Sequence, residues 1–236
     1  MLVAHALLPD ARVELLGEAP PLAPELETEV ERLWLAERSR QGCGLFNGQT
    51  FSAVAVEPAR IAGHRIEYRR LIAQRLRPGL FDSLRVRPVG VSGLLQCADG
   101  IVFGRRARKG VQHPGLWELA PSGGIDTTDA VQPGLIDVRS QVLTELTEEV
   151  GLSREQVGVT APFCLVEDEE LRVLDIGFAL TAPALTAGAI LAMHQATGSR
   201  EYEELAVIPQ GRLQHFLEQI GAQLMPVSRM LLSLYQ

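Results

Sequence analysis

The chain has 236 residues, 46% hydrophobic and 22% charged, which is enough apolar material to bury a sizeable core without disulfides or structural metal and excludes the disordered and fibrous classes. A formal net charge of −7 offers no general attraction for nucleic acid or an anionic lipid surface. At roughly 100–200 residues per domain, the length suits one ordinary domain with a smaller partner. In chain order, residues 2–8 read as a strand. Leu26, Val30, Leu33 and Trp34 then recur at helical spacing and predict a helix over 24–41 that ends at Gly42. Residues 51–56 and 61–68 read as two strands joined by a turn near Glu57-Pro58, and a short helix over 69–76 closes at Pro78-Gly79. These elements predict a small α+β module over residues 1–88.

A second section, residues 89–236, opens with a strand over 89–95, an Asp99-Gly100 hairpin turn and a strand over 101–104. After the loop 105–114 and the Gly123-Gly124 turn, Val138, Val142, Leu146 and Val150 mark the buried stripe of a helix over 136–150, with Gly151 as its C-terminal cap. Strands over 159–166, 171–180 and 205–208, a helix near 187–194 and two amphipathic C-terminal helices complete a layered α/β core. The start of the chain lacks the basic opening of a signal peptide and no apolar run is long enough to cross a bilayer, so a cytoplasmic protein is expected. Cys43, Cys97 and Cys164, odd in number and far apart, are expected as buried thiols.

The chemistry concentrates in Thr144-Glu145-Leu146-Thr147-Glu148-Glu149-Val150-Gly151-Leu152. At ~100° per residue, Glu148 and Glu149 fall roughly 60° and 40° to either side of Glu145, so three carboxylates share the polar face opposite the apolar stripe. Like charges at these spacings repel, and the nearby helix C-terminus adds to the cost. A divalent cation relieves both penalties, since Mg²⁺ takes carboxylate oxygens together with water and phosphate oxygens. A merely solvated acidic helix face has the same spacing. Arg105 and Arg106, at the end of the strand over 101–104, present the guanidinium fork suited to phosphate; a solvated strand end reads the same way.

The acidic segment resembles the end of the Nudix box, E-U-x-E-E-x-G-U with U aliphatic, position by position from Glu145 to Leu152. Gly115-Leu116-Trp117 and Gly123-Gly124 are similar to the strand and glycine turn that open that box, and Glu201-Tyr202-Glu203-Glu204 is similar to a segment many members carry before their last helix. Two features depart from the pattern. Thr144 stands where the box has arginine, and the interval from Gly124 to Glu145 is longer than the family's, which leaves only Asp137 to stand in for the early box glutamate. Within the superfamily the chain resembles the UDP-glucose/UDP-galactose diphosphatases at Leu45-Phe46-Asn47, Tyr68-Arg69, Gly115-Leu116-Trp117 and Val142-Leu143-Thr144-Glu145.

The resemblance implies a Nudix-type α/β/α sandwich carrying the small N-terminal α+β module. It also implies hydrolysis of a nucleotide sugar, UDP-glucose or UDP-galactose, to UMP and a sugar 1-phosphate, with Mg²⁺ as cofactor and Mn²⁺ as a possible substitute. Glu145, Glu148 and Glu149 are then the catalytic and metal-binding residues, Gly124 joins the metal site, and Arg105, Arg106, Asn47 and Tyr68 meet the substrate. No nucleic-acid or membrane partner is expected. Three alternatives stand beside this reading: hydrolysis of ADP-ribose or another nucleoside diphosphate derivative, a catalytically silent nucleotide-binding sensor, and an isomerase of isopentenyl diphosphate that would need Cys97 or Cys164 in its active site.

Overall fold

The computed structural model describes residues 1–41, 45–108, 113–127, 134–197 and 200–235. The first stretch holds β1 (Leu2–His5), β2 (Arg12–Glu18) and α1 (Pro24–Gln41), followed by β3 (Gln49–Glu57), β4 (Arg60–Glu67), α2 (Tyr68–Leu76) and the single turn α3 (Phe81–Leu84). The sequence pattern omits β2. Its alternation is incomplete, because only Val13 is fully buried along it. The chain continues through β5 (Val89–Cys97), β6 (Ile101–Arg106), β7 (Trp117–Leu119), β8 (Ser122–Gly124), β9 (Leu135–Ile136) and α4 (Val138–Glu145). It ends with β10 (Gly158–Asp168), β11 (Val173–Ala182), α5 (Ala187–Thr197), β12 (Tyr202–Ile208), α6 (Leu213–Ile220) and α7 (Pro226–Tyr235).

Eight strands form one sheet in the order β1-β10-β11-β5-β6-β12, with β7 on β6 and β8 on β5; the other four form a second sheet, β3-β4-β2-β9. The central pair, β5 and β11, runs parallel with Val89 opposite Leu174. Successive strand residues face opposite sides. Val89, Val91, Leu95 and Cys97 therefore join one core with Leu174, Ile176, Phe178 and Leu180, while Leu94 joins a second core under α6 and α7. The first core also receives Val138, Val142, Leu146 and Val150 from the α4 region and Phe51 and Ile61 from the smaller sheet, so both sheets bury their apolar faces in common material. Full burial of a residue the size of Leu or Phe is worth about 1.5–3 kcal/mol, which makes this shared core the main tie between the sheets. Two strands cross residue 88, since β1 pairs with β10 and β9 with β2.

The helix expected over 136–150 is α-helical only to Glu145 and ends in one π turn, Leu146–Val150, closed by Gly151 at φ +83°. A strict repeat of four outruns the 3.6-residue period, and widening the last turn keeps Val150 on the buried stripe. Asp137 begins the helix by accepting a hydrogen bond from the Ser140 N–H, the capping role that satisfies an otherwise unpaired amide. Thr144 turns its hydroxyl back to the Ser140 carbonyl.

Candidate functional site

The π turn separates the three glutamates that an unbroken helix would hold on one polar face. Glu148 is exposed, Glu145 is half-buried, and Glu149 is turned inward to 1% exposure. One Glu149 oxygen accepts the Ser122 N–H at 2.8 Å and the Tyr202 hydroxyl at 3.0 Å, while the other, Oε1, is buried without a partner. Burial holds the Glu149 carboxyl well above the usual carboxylate range, and Glu201, Glu118 and Glu145 push in the same direction. Glu145 is raised to about 7, first by burial, with Gln141 opposing through a hydrogen bond and Glu148 and Glu201 adding repulsion. Its carboxylate lies against Gly123, where a Cβ would stand 2.1 Å from Glu145 Cδ, so glycine is what lets the acid reach this position. A carboxyl poised near 7 can exchange a proton at neutral pH.

A cavity of about 700 Å³ adjoins these acids, within the size range of small-molecule sites. Ser122, Gly123 and Gly124 form part of its wall, Glu118, Glu201, Asp168 and Asp175 are acids in its lining, and Thr50 of β3 and Tyr68, Leu71 and Arg75 of α2 line it from the N-terminal part of the chain. Asp175 stands at its margin beside Ser92, with Oδ1 buried and unpartnered and its carboxyl raised to about 7 by burial. Three guanidiniums line the cavity: Arg75, Arg106 and Arg200. Arg106 bonds the buried Glu118 at 2.7 Å and Glu201 at 3.4 Å. Burial lowers the pKa of Arg106, but Glu118 more than compensates, and the net direction is upward.

The other predicted site residues are placed as follows. Tyr68 and Gly124 line the cavity, Gly124 as the β8 partner of Gly90. Glu145, Glu148 and Glu149 stand behind that wall rather than in it. Arg105 does not line the cavity; it pairs with Glu203 and Glu204 and stacks on Trp117. Asn47 is also outside the lining. Its Oδ1 accepts the Arg69 N–H at the start of α2 and its amide donates to Glu67, while Phe46 is exposed. Cys43 lies outside the described residues. Cys97 and Cys164 are buried, burial pushes the Cys164 thiol up to about 12, and neither of these two cysteines of the isomerase alternative lines the cavity. Sequence reasoning missed Arg75, Ser122, Asp175 and Tyr202 as site residues. Only Tyr202 carried a signal, lying inside the Glu201-Tyr202-Glu203-Glu204 segment.

A divalent cation suits this donor set: hard carboxylate oxygens, one of them buried and unpaired, in a cluster whose members raise one another's pKa. Among the described residues no three His, Cys, Asp or Glu side chains converge into a complete cage. Mg²⁺ needs none, because it keeps waters and takes substrate phosphate oxygens beside one or two carboxylates.

No family model and no curated protein matches the chain. No helix among the described residues is long and apolar enough to cross a membrane. Solved structures resemble it in fold at low identity. A NUDIX hydrolase from Nitrosomonas europaea gives a TM-score of 0.43 at 12% identity over 62% of this chain and 68% of that one. A bifunctional NMN adenylyltransferase/ADP ribose pyrophosphatase from Francisella tularensis gives 0.44 at 16% identity over 70% of this chain and 47% of that one. The Deinococcus radiodurans protein DR0079 gives 0.51 at 12% identity, over 79% of this chain and 99% of that one, so the mixed α/β arrangement of two sheets and helices is one already seen in solved proteins.

Proposed function

We propose that the chain is a Nudix-type hydrolase of the pyrophosphate bond in nucleoside diphosphate derivatives, acting in the cytoplasm, with UDP-glucose or UDP-galactose cleaved to UMP and a sugar 1-phosphate. The observation that carries the reading is Glu149: an inward-turned carboxylate with one bonded and one unpaired oxygen, at the end of a glycine-capped acidic helix, beside a cavity wide enough for a nucleotide sugar. Glu149, Glu148 and Glu145 would hold Mg²⁺, or Mn²⁺ in its place, with Gly124 at the edge of the same site. When bound, the cation supplies charge stabilisation to the phosphoryl oxygens and lowers the pKa of water. Tyr68 and Leu71 of the N-terminal part would cover one side of the bound substrate. The UDP-sugar choice rests on the sequence resemblance alone.

A second reading, a nucleotide-binding sensor without turnover, draws on the absence of a converged three-residue cage among the described residues. One screen separates the two: nucleoside diphosphate compounds incubated with Mg²⁺ or Mn²⁺, reading released phosphomonoester. Release from UDP-hexoses supports the proposed substrate, faster release from ADP-ribose shifts it to that compound, and binding without release establishes the sensor. Within the hydrolase reading, Glu148→Gln and Glu149→Gln are each expected to remove most metal-dependent turnover; full turnover in both refutes the metal assignment.

A further inference from the structure

The cation that the proposed reaction needs against its anionic substrate is not where the sequence put it. Arg105 is committed to Glu203 and Glu204, and Arg106 to Glu118 and Glu201. Arg200 is exposed. Arg75, in the last turn of α2, is half-buried, lines the 700 Å³ cavity, and among the described residues has no hydrogen-bond or ion-pair partner. Arg75 also lines a second cavity of about 420 Å³ beside Phe81 and Leu171, so its side chain stands where the two spaces meet.

A half-buried guanidinium without a counter-charge is unusual, because removing a cation from water is costly unless a partner replaces the solvent. The contrast with Arg106 is direct. Burial lowers the pKa of Arg75 and the Tyr68 hydroxyl only partly opposes it, whereas Glu118 reverses the same effect at Arg106. His113, which lines both cavities, is held below the ordinary imidazole range by burial and then by Arg75 and Arg106, with Asp168 opposing, so Arg75 and His113 stand close to one another in the cavity wall. The acid on this side, Asp168, spends one carboxylate oxygen on the N–H groups of Glu170 and Leu171 in its own turn.

Resting on the hydrolase reading of the same cavity, we propose that Arg75 is a substrate-binding residue whose guanidinium takes a phosphoryl group of the bound nucleoside diphosphate derivative. The planar fork matches two phosphate oxygens, which a point charge cannot do. The partnerless charge is then the resting state of a site completed by ligand.

The test is isothermal titration of the full chain, in the presence of Mg²⁺, with UMP, glucose 1-phosphate and inorganic pyrophosphate, none of which is a dinucleotide or sugar-nucleotide substrate. It uses wild type, Arg75→Gln and Arg75→Lys, each with its melting temperature. At least one probe is expected to lose about tenfold or more in affinity in Arg75→Gln, with partial recovery in Arg75→Lys, and Arg75→Gln is expected to melt no lower than wild type because no partner is stranded. A loss confined to UMP places the nucleotide half at Arg75, and one confined to glucose 1-phosphate places the sugar half there. Unchanged affinities in both variants, or no binding of any probe by wild type, overturn the proposal. Should Arg75→Gln melt several degrees lower, Arg75→Lys carries the decision: wild-type affinity together with a lowered melting temperature assigns Arg75 a structural role. Turnover is scored separately. Hydrolysis with kcat and KM untouched by Arg75→Gln sinks this site and spares the reaction, whereas weakened phosphate binding without hydrolysis of any compound does the reverse.

Discussion

Replacing Asp175 with Asn perturbs one charge at the cavity margin and leaves the side-chain shape almost unchanged. The residue faces Gly90 on β5, its Oδ1 is buried without a partner, and burial raises its carboxyl from 3.8 to about 7 against the hydrogen bond from Ser92, with Glu118 adding to the rise. The folded state therefore keeps this proton to a higher pH than the unfolded chain does. The stability contributed by the protonated group is complete below pH 3.8 and is lost as pH rises towards about 7. At ~1.4 kcal/mol per tenfold change in proton affinity, the loss is at most ~4 kcal/mol. Asn mimics the protonated form and cannot ionise. In EDTA, urea unfolding of Asp175→Asn at pH 8 should show a gain approaching that figure, on the order of 10 °C in melting temperature. At pH 4 the two proteins should agree within about 1 kcal/mol. Glu145 and Glu149 titrate in both, so the difference between the two pH profiles isolates Asp175. Parallel profiles from pH 4 to 8, or an Asn variant less stable at pH 8, would refute the argument from burial.

Tyr202→Phe removes one of the two donors to the bonded Glu149 oxygen. It should cost about 1–3 kcal/mol in urea unfolding and weaken Mg²⁺ dependence of turnover. Gly123→Ala brings a methyl to 2.1 Å from Glu145 Cδ, and the flexible carboxylate is what must move. Stability should change by only about 1 kcal/mol, while hydrolysis measured at saturating Mg²⁺ falls by up to about a hundredfold from a misplaced acid. Arg106→Gln leaves the buried Glu118 without its closest counter-charge. A loss of about 3–5 kcal/mol is expected at pH 8 and a smaller one as pH is lowered, because burial raises the Glu118 carboxyl and its protonation removes the charge that lost its partner.

The amino-acid order alone determined the elements whose signals are local. The spacing of Val30, Leu33 and Trp34 marks α1, observed at Pro24–Gln41, and the stripe from Val138 to Val150 with Gly151 after it marks the acidic helix and its end. Side chains three and four apart meet on any helix, so this periodicity needs no knowledge of the rest of the chain. The same holds for the hairpin turn at Asp99-Gly100, where β5 meets β6 with Gln96 opposite Ile101. Tertiary structure decided which charges are free. Register on β6 sets Glu204 opposite Arg105 and Trp117 beside it, so an arginine that looked available for phosphate is neutralised across the sheet. Arg75 reads along the chain like any arginine on a short helix, and only the packing of α2 over the cavity leaves it half-buried with no ion-pair partner among the described residues. The π turn belongs to the same class. The sequence supplied three glutamates, but the fit of Val150 into the shared core rotated Glu149 inward to Ser122 and Tyr202, because burial of apolar area outweighs the uniformity of a helix.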